Sequence, residues 1–124
     1  MPMFRNVLLA MLCLVAAAHA GELAPRERAR IDHLLAIVGS LQHAQFIRNG
    51  TAYDSATAVS HLRLKWRAAG TRVQTAEDFI RDCASQSSLT GQPYEIRFSD
   101  GRTVAAADFL RQQLREFDAQ NPER

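Results

Sequence analysis

Cysteine is nearly missing from this sequence: Cys13 and Cys83 are the two in 124 residues. Cys13 falls in an apolar leader, so Cys83 is left alone and an internal disulfide framework is excluded. Its place on the apolar side of a helix makes it a buried residue first and a bridging thiol second. An excess of charge of one sign is missing as well. Fifteen basic side chains against thirteen acidic ones leave a formal net charge of +2, or +1 without Arg5, and so small a surplus selects no partner. The basic residues are arginines except for Lys65. No apolar run is long enough to cross a bilayer, which takes about 20 residues, since the longest is Val7 to Ala18.

Chemical signatures are missing too. His33, His43 and His61 show no H-x-x-x-H or similar spacing, and Cys83 has no nearby partner, so neither a metal nor another cofactor is expected. There is no G-x-S-x-G elbow and no S-x-x-K beyond the leader. Arg63, Lys65, Arg67 and Arg72 cluster but lack interleaved aromatics, which makes a nucleic-acid ligand a poor expectation. Asn49-Gly50-Thr51 matches a glycosylation sequon, although a turn explains every residue in it.

The leader itself is informative. Arg5, the apolar run and Ala18-His19-Ala20 before Gly21 have the form of a secretory signal with a small-x-small cleavage site. Residues 1–20 are therefore expected to be removed, giving a periplasmic or secreted chain with no transmembrane segment. Residues 21–124 are long enough for a single domain with its own core.

Beyond Pro25, Ile31, Leu34, Leu35, Val38 and Leu41 recur at helical spacing and predict an amphipathic helix over Arg26 to about Gln42. Arg26, Glu27, Arg30 and His33 lie off that stripe and read as a solvated face. Asn49-Gly50 between short apolar runs predicts a two-residue type I′ hairpin pairing Phe46 with Tyr53, Ile47 with Ala52 and Arg48 with Thr51. Asp54 or Ser55 then caps a helix whose apolar line is Ala56, Val59, Leu62, Trp66 and Ala69, ended by Gly70. Arg63 and Arg67, with His61 and Lys65, make its outer rows the most basic face of the chain.

Thr75-Ala76-Glu77-Asp78 has the form of a capping box opening a helix to about Ser85, with Phe79, Ile80 and Cys83 inward. Ser85 to Pro93 reads as a polar surface loop. Strict alternation over Tyr94 to Phe98 is the clearest strand, returned through Asp100-Gly101 along Thr103-Val104. A last helix, about Ala106 to Asp118, buries Leu110, Leu114 and Phe117, and the residues around Pro122 are expected to fray. Isolated hairpins are marginal in water, so the expected fold is α+β: four helices packed on one small antiparallel sheet made from both hairpins.

Phe46-Ile47-Arg48-Asn49-Gly50 with Tyr53, Ala58 with His61-Leu62 and Lys65, Thr75 to Ile80, Ala84-Ser85 with Ser87-Ser88, Gly91 with Pro93-Tyr94, and Asp100-Gly101 together resemble the YfeK-like family of small exported bacterial proteins. The resemblance covers about Ile31 to Leu114. It departs from the family pattern at Phe109-Leu110, where Trp-Leu is usual. It implies an exported bacterial protein with a domain of unknown function, and carries no activity and no catalytic residue.

His61 and Lys65 are the pair to weigh, because residues four apart share a helix face and can bind an anion or exchange a proton. The plainer reading is that His61 flanks the apolar stripe and Lys65 solvates the helix. With Arg48 and Tyr53 they form a candidate binding surface where the first hairpin meets the second helix. The expected function is non-enzymatic binding, to another envelope protein or to an anionic envelope component. The competing expectation is an envelope hydrolase with His61 as base and a loop serine near Ser87 as nucleophile. A third is an assembly module bridged through Cys83.

Overall fold

The computed structural model describes residues 22–123. The proposed leader and its cleavage site at Ala20 lie outside them. The elements run α1 (Pro25–Ser40), β1 (Gln45–Arg48), β2 (Thr51–Tyr53), α2 (Ser55–Ala69), α3 (Ala76–Phe79), β3 (Glu95–Arg97), β4 (Thr103–Ala105) and α4 (Ala106–Gln120). This is an α+β fold in which both hairpins join one antiparallel sheet, ordered β2-β1-β3-β4.

The first hairpin has the register its turn dictates: Phe46 opposes Tyr53, Ile47 opposes Ala52 and Arg48 opposes Thr51. Asn49 and Gly50 both take positive φ, 50° and 79°, as a type I′ turn requires. The second hairpin turns differently. Phe98 accepts from the Gly101 amide and donates to Arg102, and Gly101 sits at φ 92°, so the loop is a tight turn followed by a glycine bulge. Antiparallel pairing of Phe46 with Ile96 welds the two hairpins together.

Each helix start has a local cause. Pro25 occupies the first turn of α1, the Asp54 carboxylate accepts from the Thr57 amide at 2.8 Å, and Thr75 Oγ1 accepts from the Asp78 amide at 3.0 Å. Gly70 ends α2 at positive φ, and Arg72 donates to the Ala68 and Ala69 carbonyls, so one arginine of the basic cluster closes a helix end.

The core has two adjoining parts. Ile31, Leu34, Leu35 and Val38 of α1 meet Leu62, Phe79, Ile80, Cys83, Leu110 and Leu114 in the larger, and Ala44, Tyr94, Ile96 and Ala106 form the smaller. Phe46 and Phe109 pack against both. Each fully buried Leu, Ile or Phe contributes about 1.5–3 kcal/mol, so the larger cluster dominates stability.

Several expectations require correction. Ala56 is exposed; Ala58 takes its place on the buried side of α2, because the helix is rotated to present Ser55, Ala58 and Leu62 inward. The third helix is α-helical only to Phe79 and continues as a wider π turn over Ile80–Ala84, where Ser85 Oγ donates to the Ile80 carbonyl at 2.6 Å. The α1 face of Arg26, Glu27, Arg30 and His33 is not simply solvated. Arg30, with 15% of its side chain exposed, pairs with Glu27 at 2.8 Å and Asp118 at 2.9 Å, while Glu27 also accepts from the Ala76 amide. Burial opposes the Arg30 charge, yet the Asp118 and Glu27 carboxylates hold its pKa above the ordinary arginine value. His33 stacks on Phe117 at 4.5 Å. At the tail, Arg26 donates to the Asn121 carbonyl and pairs with the exposed Glu123.

Two glycines separate strain from space. A Cβ at Gly50 meets nothing within 4 Å but needs positive φ, so Gly50→Ala is expected to destabilise by about 1 kcal/mol through backbone strain. Gly39, inside α1, would bring a Cβ 3.5 Å from the Val59 methyl, an ordinary contact, and Gly39→Ala is expected to stabilise by about 0.5 kcal/mol. Urea unfolding of both variants checks the opposite signs.

Candidate functional site

The core-facing side of the sheet carries Phe46, Arg48 and Tyr53 from the first hairpin and Ile96 from β3. Arg48 stands last on β1, so its guanidinium reaches past the sheet to α2. Arg48 Nη1 lies 2.9 Å from His61 Nδ1 and 3.2 Å from Nε2, and Nη2 donates to the Tyr53 hydroxyl at 3.5 Å. The guanidinium also stands 5.2 Å over the Tyr53 ring. On the other side His61 Nε2 is 3.2 Å from the Tyr94 hydroxyl. Lys65, one helical turn on, donates to that same hydroxyl and to the Gln86 carbonyl, each at 3.1 Å, with its ammonium 5.0 Å over the Tyr94 ring.

The four residues singled out from the sequence, Arg48, Tyr53, His61 and Lys65, are thus brought together. Tyr94 is the member that sequence reasoning missed, having been read as a core strand residue; it is buried and bridges His61 to Lys65. The available signal was its position two residues before Ile96, which the pairing with Phe46 brings alongside Arg48. Lys65 is not a merely solvating residue, since both of its bonds run to the segment after α3.

Electrostatically the cluster is one-sided. Among the described residues neither Arg48 nor Lys65 has a carboxylate within ion-pair distance, a lack shared with Arg63, Arg67, Arg72, Arg97 and Arg115, whereas Arg26, Arg30, Arg81 and Arg111 all have one. Burial, then the charges of Arg48 and Lys65, lower the pKa of His61 below its usual value. A neutral imidazole offers one ring nitrogen as acceptor, which suits the Arg48 donor.

The loop expected to be surface is ordered around a buried serine. Ser87 Oγ accepts from Asn49 Nδ2 at 3.2 Å and from the Leu89 and Thr90 amides, and Thr90 Oγ1 donates to Asn49 Oδ1 at 2.6 Å. The hairpin turn is therefore latched to this loop. The hydrogen-bond partners of the His61 ring are Arg48 and Tyr94 and include no serine. Cys83 is fully buried with its pKa pushed up to about 11 by that burial, which keeps the thiol protonated at neutral pH and out of reach of another chain. Among the described residues no group of three or more His, Cys, Asp and Glu could hold a metal ion, and no helix is long and apolar enough to cross a membrane.

Fold and site define a small α+β domain with a cationic cluster, free of ion pairs among the described residues, between its sheet and second helix. A family model described as a family of unknown function (DUF5329) matches residues 25–118, and the chain belongs to that family. It is similar to the uncharacterized protein YfeK of Salmonella typhimurium strain LT2, 47% identical over 68 residues that make up 55% of this chain and 57% of that protein. The chain thus matches little more than half the length of that relative. No solved structure matches the chain.

The depressed pKa of His61 has a definite sign. Its folded value lies below its unfolded value near 6.5, so the unfolded chain takes the proton first as pH falls. Stability attributable to His61 is complete above about pH 6.5 and declines between there and the folded pKa. Thermal melts from about pH 7 to about pH 5 are expected to show a steeper loss for the native chain than for His61→Gln. Equal slopes would remove the neutral imidazole from the site.

Proposed function

We propose that the chain is exported and acts without catalysis, as a binding domain that recognises an anionic component of the cell envelope, free or displayed on an envelope protein. Arg48 and Lys65 supply the positive charge, Tyr53 and Tyr94 the hydroxyl and ring surfaces, and His61 holds the two cations apart as a neutral spacer. One observation carries this reading: two cations converge on a single histidine and tyrosine, neither within ion-pair distance of a carboxylate among the described residues. An anion entering there would gain two charge-assisted hydrogen bonds, each stronger than a neutral one. Export rests on the leader, the apolar run and the Ala18-His19-Ala20 site.

The hydrolase reading has less support. Ser87 is buried with its hydroxyl accepting three N–H groups, and nothing favours it as a nucleophile.

The test uses protein recovered from the periplasm, where its first residue is expected to be Gly21. The His61→Ala, Lys65→Ala double variant is expected to melt within about 4 °C of the parent, because Lys65 is half-exposed and His61 is not in the main core. Retention by the envelope fraction of the source cells is expected to drop about tenfold or more, the worth of lost charged hydrogen bonds. Full retention at unchanged stability would eliminate this surface.

A further inference from the structure

A cleft of about 270 Å³ opens directly beside this cluster. Its floor is apolar: Val38, Ala58, Leu62, Ala84, Ile96 and Leu110, from both core clusters. Arg48, Tyr53, His61 and Tyr94 line it as well, so the Arg48 end of the cluster and the apolar floor belong to one space, while Lys65 stands outside it behind Tyr94. Natural interiors are packed with few voids larger than a water molecule. This space approaches twice the roughly 150 Å³ of an engineered apolar cavity that stays dry and takes up benzene. Two of the lining residues, Ala58 and Ala84, are small. Its outer edge is formed by Thr57, Ser60 and Leu64 of α2, and Leu64, 57% exposed, is one of the two large apolar side chains left in water among the described residues.

We infer that this cleft receives the apolar body of the bound anion, and that the ligand is a single-chain amphiphile: an alkyl or aryl tail carrying a carboxylate or phosphate head. The inference rests on the anion reading above. A purely inorganic anion would leave the floor unused, and a neutral hydrocarbon would bury the Arg48 charge against nothing. An amphiphilic anion satisfies both, placing its head against Arg48 beside the Tyr53 and Tyr94 hydroxyls and its tail against Leu62, Ile96 and Leu110. Apolar lining with a few convergent polar groups at one end is the usual composition of a small-molecule site. Glu95 also borders the cleft, but it is exposed and makes no ion pair with Arg48.

The probes are sodium octanoate, sodium acetate and octanol, titrated into the full domain by calorimetry. Octanoate is expected to bind about a hundredfold or more tighter than acetate, the difference being its buried methylenes. Arg48→Met is expected to weaken octanoate about tenfold or more and leave octanol unchanged. Ser60→Phe, a substitution at an exposed position that fills the cleft from outside, is expected to abolish octanoate binding while acetate still shifts the His61 and Tyr94 resonances. Sedimentation with phosphatidylglycerol vesicles, lost in Arg48→Met, would identify a membrane lipid as the source of the tail; octanoate binding without sedimentation would identify a free amphiphile. Octanoate no tighter than acetate overturns this inference and leaves the anion reading standing. Octanol as tight as octanoate, with no effect of Arg48→Met, overturns both.

Discussion

The antiparallel contact between β1 and β3 is the constraint on which the rest of the molecule depends. It joins two hairpins that are far apart in the chain, pairing Phe46 with Ile96, and a lone hairpin of either kind would be marginal in water. It also sets the site. With that register, Arg48 at the end of β1 and Tyr94 just ahead of β3 lie beside each other, and α2 needs only to lay His61 and Lys65 across them. The Asn49 side chain reinforces the join from outside, bonded to Ser87 and Thr90 of the loop that leads into β3.

Charge is handled in two ways in this small protein. At the ends of α1, α3 and α4 the arginines are matched to carboxylates: Arg30 to Glu27 and Asp118, Arg81 to Asp78 and Asp82, Arg111 to Glu77. Gln74 and Arg81 in turn lower the pKa of Asp78. Where the sheet meets α2 the pattern stops, and Arg48 and Lys65 are held by a neutral histidine, a phenol and a backbone carbonyl. Among the described residues Arg63, Arg67, Arg72, Arg97 and Arg115 also lack a carboxylate partner, so what sets Arg48 and Lys65 apart is their convergence on His61 and Tyr94. An incoming anion would complete at this point what carboxylates complete elsewhere.

Much of this was legible in the sequence because its causes are local. Asn49-Gly50 admits positive φ at two successive positions and so specified the turn, and the turn specified the register. Asp54 and Thr75 announced their helices through capping geometry that spans three residues. The spacing of His61 and Lys65 placed them on one helix face, and their proximity to Arg48 and Tyr53 followed from chain order. What escaped depends on partners distant in sequence. Arg30 looked solvated because Asp118 arrives from the far end of the chain, and Ser87, in the loop expected there, is buried because its donor Asn49 lies in another hairpin. Ala56 and Ala58 differ by two positions in a stretch of small residues, where side-chain size cannot fix the rotation of the helix. The π turn after Phe79 left no periodic signature in five residues.

Amide hydrogen exchange across the sheet addresses the central contact most directly. If β1 and β3 are welded as described, the protected amides of β1 and β3 should open with the same free energy as the core amides of α1 and α4, as one cooperative unit. Exchange of the Gln45–Tyr53 hairpin well ahead of β3 and α1 would show that the two hairpins fold separately, and the cluster of Arg48, His61, Tyr94 and Lys65 would then have no fixed frame.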